Sequence, residues 1–494
     1  VTVDLDDPAI LANATGGNGG QGRIDAATNN AGSSGSGGNA TGGTARLEVT
    51  GAGGNIDLGF VTLESDATGG NVGAGYYSFP GNGGNGGSGG DASGGTSELV
   101  ARTGGTIDIS SSLFSLTSTG LGGTGGTGGG AYGSNAGNGG NGGDAVGGSG
   151  RLLAQGGTIT GNDIDITTAG QGGDGGSPGI NFLSVSGAGG DGGDGTGGTG
   201  IIEVQEGSPG IITVGNVVIT ANGTGAAGLI AGVGAGGRIE ITDTSTDPAG
   251  LITLNSLTVN AIDTVAGTPA FSNSALLGGL FVTGDSDAIA ILGDLTVNVA
   301  GDIDYSLDRD AQMTVGGNAS LTSGQDILID HTNNITPVNS IDVAGTFSAT
   351  AQGDFISTAG SRINAADTAT VRAGQNATVA DLTGVGLVNI SAMFDVNVTN
   401  AAVTGTATTV VLGAGTLVTG PQMLIEAGLD PIGTPSPSPT ASYDPNYDAT
   451  IDGLVTSTGN ITVNAGGSAI FASGSNTVSD NGLIVQTGDD IIIQ

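Results

Sequence analysis

The sequence has no cysteine and no tryptophan, and all eight of its basic residues are arginine. Without cysteine there are no disulfides to staple a small fold. Aromatic residues make up 3% of 494, too little bulk for an ordinary globular core. Charged residues are also scarce at 11%, which argues against plain disorder. No run of about 18 apolar residues occurs, so no transmembrane helix is predicted. The net charge of −37 would repel phosphates and excludes nucleic acid as a natural partner. It fits a surface exposed to salt and divalent cations. The chain opens at Val1 without Met or a signal pattern and stops in GDDIIIQ, which reads as mid-strand. A piece of a longer or processed chain is expected.

Glycine is abundant, at 104 residues, and it is ordered. In GNGGNGGSGGDASGG at 81–95, Asn82, Asn85, Ser88 and Asp91 fall every third residue. Asn138, Asn141 and Asp144, then Asp191 and Asp194, repeat the spacing. A period of three fits neither α-helix nor strand. It fits an extended threefold helix of the polyproline-II type, which has no internal hydrogen bonds. Such helices are solid only when bonded side by side, and bulk at the glycine positions would push them apart.

Between the glycine tracts lie Thr-, Val- and Ile-rich runs. Segments starting at 46, 98, 151 and 201 each hold three short apolar runs, about 50 residues apart. Residues 1–45 read as an earlier, incomplete copy. Three short strands per repeat with no helical pattern predict an all-β chain, a right-handed parallel β-helix or solenoid. Ile56, Leu58, Ile107, Ile109, Ile164 and Ile166 should point inward. The excursions must then stack at the strand spacing of about 4.8 Å, as a polyglycine-II-like lateral layer in the N-terminal half. The domains read as winged coils over 1–238, plain coils over 239–420 and a Pro-rich loop or linker over 421–450. Further coils run over 451–494. Within the plain part, units starting at 319, 347, 369, 388 and 409 are about 20–28 residues apart.

The excursion tips carry Tyr76, Tyr77, Phe79, Tyr132 and Phe182. Either the rings fold back to cap the layer, or they form an exposed stripe that touches a sugar, a neighbouring fibre or a host surface. Arg46, Arg151 and Arg238 stand where a tract re-enters a strand, and a structural role paired with carboxylates is expected.

GGNASLTSGQDILIDHTNN and GTATTVVLGAGTLVTG resemble the repeats of filamentous-haemagglutinin-like bacterial exoproteins, over most of 239–494. The resemblance implies a right-handed β-helix shaft, secretion, a bacterial cell-surface location and a role in adhesion or biofilm formation. The glycine tracts resemble the polyglycine-II layers of some phage adhesins and the glycine-rich domains of mycobacterial surface proteins.

Calcium is the candidate ion. GGNGGDAVG at 139–147 is similar to the RTX nonapeptide, but Asp91, Asp144 and Asp194 recur once per repeat rather than in tandem. Stacking would align them in an acidic column, either solvated or bridged by Ca²⁺. Catalysis is not expected. There is no lysine, the only histidine is His331 in IDHTNN, and Asp6–Asp7 and Asp489–Asp490 lack basic company. His331 reads as a polar turn residue on the surface. The sequence therefore predicts a structural, adhesive segment of a secreted fibre. Its partners are itself, surface glycans, or a host or abiotic surface. The rivals are a protomer of a homopolymeric filament or sheath, and a carbohydrate-active β-helix.

Overall fold

The computed structural model describes the chain except residues 1, 6–8, 110–112, 133, 182, 184–185, 206–209, 245–250, 266–267, 270–278, 285–287, 310, 333–338, 404–408, 413–415, 420–421, 428–447, 453, 458–459, 466–467, 481 and 488–489. The described residues are all-β, without a helix, and nearly all strand pairs are parallel. Two compact units emerge: Val1–Gln205 with Val214–Ile241 and Val259–Gly279, and Glu206–Thr213 with Thr242–Thr258 and Leu280–Gln494.

In the first unit each strand pairs with its equivalent one repeat away. Thr44–Val49, Thr96–Arg102, Ser149–Gln155 and Thr199–Val204 form one such stack. Asn55–Leu58, Thr106–Ile109 and Thr158–Gly161 form a second, and Val61–Glu64, Phe114–Thr117 and Ile164–Thr167 a third. Thr2–Leu5 pairs with Asn55–Leu58, so the first residues do make an earlier copy. Strand alternation then sorts the side chains. Leu63, Leu116, Ile166 and Ile219 stack in register, and all four are fully buried. Their neighbours Thr62, Ser115 and Asp165 face outward at the matching positions. Each buried aliphatic side chain contributes about 1.5–3 kcal/mol, and each depends on the repeat above and below to cover it. The six isoleucine and leucine positions expected to point inward are all buried.

The second unit is built the same way with shorter repeats. Leu295–Val299, Ala319–Ser323, Phe347–Ala351, Ala369–Ala373 and Leu387–Ala392 pair in parallel succession. Val297, Leu321, Ala349, Val371 and Ile390 make one buried column. Equivalent residues are 24, 28, 22 and 19 apart along the chain. The expected unit at 409 is different. Thr409–Leu412 and Thr416–Thr419 form an antiparallel hairpin, and the next strand on the stack is Gln422–Ala427. The proline run within 421–450 lies almost wholly outside the described residues.

Candidate functional site: the glycine layer and its tip

Each excursion of the first unit leaves and re-enters through two short strands. The outgoing roots Ala14–Thr15, Ala67–Thr68, Gly120–Leu121 and Gly170–Gln171 pair in one parallel sheet. The returning roots Ala40–Thr41, Ala92–Ser93, Ala145–Val146 and Gly195–Thr196 pair in another. Beyond the roots, every third residue faces solvent and the two between are mostly glycine, with Ser34 and Val72 among the exceptions. The three amides of such a triplet have three different destinations.

The first glycine donates to the carbonyl of the outward residue in the next repeat: Gly86 N to Asn138 O at 2.8 Å, Gly142 N to Asp191 O at 2.8 Å. The second glycine donates across to the opposite tract. Gly90 N reaches Gly70 O at 3.0 Å, Gly123 N reaches Gly90 O at 2.8 Å, and Gly143 N reaches Gly123 O at 2.8 Å. Those zigzag bonds continue from Gly173 to Gly143 and from Gly193 to Gly173. The outward residue's own amide donates to the side-chain oxygen of the preceding repeat's outward residue. Asn138 N meets Asn85 Oδ1 at 2.9 Å, Asp144 N meets Asp91 Oδ1 at 3.0 Å, and Asp194 N meets Asp144 Oδ1 at 2.8 Å. In Gly142, Gly143 and Asp144 a helix without internal hydrogen bonds thus has all three amides of the triplet met.

This is why most outward positions carry Asn or Asp, whose short side chains present an acceptor beside the backbone. It also explains the glycines. None of the layer's glycines has positive φ, so conformational freedom is not their role. A Cβ on Gly143 would drive into the carbonyl of Gly90, and one on Gly123 into that of Gly70.

Asp91, Asp144 and Asp194 do form the expected column, continued at one end by Asn39, whose Oδ1 accepts Asp91 N at 2.9 Å. Each carboxylate spends one oxygen on the next amide, a use that sequence reasoning missed. Among the described residues no group of three or more acidic or histidine side chains is arranged to hold a metal ion. The repeat at 222–237 interrupts the ladder at three positions. Ala227, Ile230 and Val233 donate amides to Asp174, Asp191 and Asp194 but bring no side-chain oxygen of their own.

At the tips, Tyr76, Tyr77, Phe79 and Tyr132 are roughly half exposed, Phe79 at 64%. Phe79 and Tyr132, from adjacent repeats, pack tilted with ring centroids 5.3 Å apart. Ser78, Ala131 and Asn181 hold the turns together by parallel bridges. The Tyr77 ring lies over Gly130, so the four rings pack in part on the turns while each keeps one face exposed. Phe182 lies outside the described residues, but its neighbours Ile180 and Leu183 are 64% and 66% exposed.

The arginines take the structural role expected. Glu98 is in register with Arg46 and Arg151, at 3.5 and 3.7 Å, and Arg151 also meets Glu203 at 2.6 Å. Arg238 pairs with Glu240.

His331 is a correction. It is 2% exposed, on Ile327–Thr332, in phase with the inward Ile327 and Ile329. That phase was the available signal. Its Nε2–H donates to Arg309 O at 2.8 Å, and its Nδ1 lies 2.8 Å from Ser340 Oγ, which accepts Arg362 N. Both ring nitrogens are committed inside the fold.

Compared with models of protein families, with curated proteins and with solved structures, the chain matches none.

Proposed function

We propose that this chain is a structural and adhesive segment of a secreted bacterial surface fibre. Its stacks are read as right-handed parallel β-helix, the hand that parallel strand connections favour. The glycine tracts are read as a polyglycine-II-like layer along one side. The observation that carries the adhesive reading is the exposed ring cluster of Tyr76, Tyr77, Phe79 and Tyr132 at the free end of that layer. Half-exposed tyrosines combine a stacking face with a hydroxyl, the chemistry that suits sugar rings and mixed surfaces. The layer behind them supplies stiffness, because its amides are bonded in three directions. The acidic columns serve the layer's own hydrogen bonding and keep its faces hydrated. Burial of His331 supports the non-enzymatic reading, since a base enclosed by Arg309 and Ser340 does not face a substrate groove.

The test is binding of the purified chain to immobilised glycans, to cells and to an abiotic surface. It is set beside a variant carrying Tyr76→Ala, Tyr77→Ala, Phe79→Ala and Tyr132→Ala. Retention on at least one surface, lost in the variant with thermal unfolding unchanged, is the expected result. Equal retention of both proteins, or of neither, rejects the tip as an adhesive surface.

A further inference from the structure

The outward rows of the glycine layer hold a chemistry that the adhesive reading does not use. Asn18, Asn82, Asn85, Asn138, Asn141 and Asn222 are each followed by glycine. In an Asn-Gly pair the carboxamide is open to attack by the chain itself, because glycine has no side chain to hinder the nitrogen that follows. That nitrogen bonds to Cγ, the Cγ–Nδ2 bond breaks, and Nδ2 carries off the displaced proton as ammonia. Water then opens the five-membered imide. Opening at one carbonyl gives Asp. Opening at the other gives isoaspartate, whose backbone runs through the β-carbon. Neither step needs an enzyme.

In this fold the two reacting groups are held by a single residue of the next repeat. Asn85 Oδ1 accepts the amide of Asn138 at 2.9 Å, and the amide of Gly86 donates to the carbonyl of the same Asn138 at 2.8 Å. Ala188 holds Asn138 and Gly139 in the same way, at 2.9 and 2.8 Å. Asp191 holds Asn141 and Gly142 at 3.1 and 2.8 Å, and Asn135 holds Asn82 and Gly83 at 3.2 and 3.0 Å. Asn71 does this for Asn18 and Gly19, and Ile262 for Asn222 and Gly223. The proton that must leave is given to a carbonyl. The carboxamide that must turn toward the nitrogen is pinned by its oxygen. The reaction therefore requires the neighbouring repeat to move away.

The layer also treats the two products differently. Asp already stands in these rows: Asp191 follows Asn141, and Asp91 and Asp144 accept the next repeat's amide as the asparagines do. Isoaspartate lengthens the backbone by one atom and shifts the glycines behind it out of the threefold phase. Those glycines have no slack, since even a Cβ on Gly139 or Gly142 would drive into the carbonyl of Gly176 or Gly173.

We infer that the Asn-Gly pairs of the layer are self-modification sites gated by the stack, each reacting only when the following repeat lifts off it. The closed layer keeps its asparagines. Where it opens, a pair passes to Asp, which stacks again, or to isoaspartate, which does not. The modification is thus a one-way record of local opening. The inference rests on the layer's hydrogen bonding and not on what the tips bind.

Peptide mapping by mass spectrometry tests it. The purified chain is incubated at mildly alkaline pH, folded and in urea, beside synthetic peptides spanning 80–88 and 136–144. Deamidation of Asn85, Asn138 and Asn141 in the folded chain should be at least about 100-fold slower than in urea or in the peptides, because only the open fraction reacts. Protection of each pair should follow the hydrogen-exchange protection of its glycine amide, both falling together in sub-denaturing urea. Ala188→Pro removes one of the two bonds on Asn138 and Gly139 while keeping an extended backbone. Asn138 should then react about fivefold faster, with Asn141, held by Asp191, unchanged. Ala188→Ser keeps the amide and should keep the wild-type rate. Folded-chain rates within about threefold of the peptides, deamidation that does not follow exchange at Gly86, Gly139 and Gly142, or an unchanged Asn138 in a folded Ala188→Pro chain overturns the inference. If Ala188→Pro does not fold, the two wild-type measurements decide alone.

Discussion

The carboxylate of Asp263, 5% exposed, accepts the backbone N–H of Gly236. A side chain substitutes for the carbonyl that another repeat would have brought. Burial is the larger influence and pushes the Asp263 carboxyl above its ordinary range, while the Gly236 amide pulls it partly back. The folded state therefore holds this proton more tightly than the unfolded chain. Its contribution is most favourable below the ordinary carboxylate pKa and declines as pH rises through the raised value. Asp263→Asn keeps an acceptor without a charge. It should match or exceed the wild type at neutral pH and lose its advantage in acid. Asp263→Ala leaves the amide unmet and should cost about 1–3 kcal/mol. Urea unfolding of the three proteins across pH checks both directions.

Gly143 and Asn141 are two residues apart and should respond very differently. Gly143→Ala forces a methyl into the carbonyl of Gly90 and should cost at least about 2–3 kcal/mol, or prevent the layer from forming. Asn141→Ala removes only the oxygen that accepts Asp191 N at 3.1 Å, and should cost about 1 kcal/mol. Thermal unfolding of the pair is sufficient. Equal losses would contradict the close-packing account.

Tyr305 is wholly buried in the second unit, and its hydroxyl has no hydrogen-bond partner among the described residues. Burial pushes the phenol far above its usual range. Tyr305→Phe removes the unsatisfied group at nearly constant volume. It should stabilise by about 1 kcal/mol, read as a higher denaturant midpoint with an unchanged slope.

Ser340 joins Arg362 N to His331 Nδ1. Ser340→Ala should cost about 2–3 kcal/mol, because two buried groups lose one partner at once. Ser340→Thr, which keeps the hydroxyl, should recover most of that loss. Denaturant unfolding of both variants measures it.

The strand phase was readable because alternation is local: Ile107 and Ile109, or Ile164 and Ile166, declare an inward face within three residues. The period of three in the glycine tracts was equally local. The Asn/Asp ladder was not, since Asp91 and Asp144 meet across 53 residues, and each alone resembles a solvated turn residue. His331 was misplaced because its neighbours are polar, although its parity matched Ile327 and Ile329. The hairpin of Thr409–Leu412 and Thr416–Thr419 shares the Thr- and Val-rich composition of the stacked strands, and composition does not distinguish antiparallel from parallel pairing.

The triplet of amide destinations has a consequence for how such a chain can change length. Inside a tract, inserting or deleting one residue would turn an outward Asn into the packed seam and a bare glycine out to water. Only whole triplets preserve the phase, so a tract lengthens in quanta of three codons. Any other change has to be absorbed at the turn. The first two repeats do this, with Asn18 and Asn71 spaced by 53 residues on the outgoing side and Asn39 and Asp91 by 52 on the return. The last pair does so more drastically, with Asp174 and Ala227 spaced by 53 but Asp191 and Ile230 by 39. The turns are thus the one place where this layer tolerates insertions of arbitrary size, and the tracts behind them are where a frame is kept.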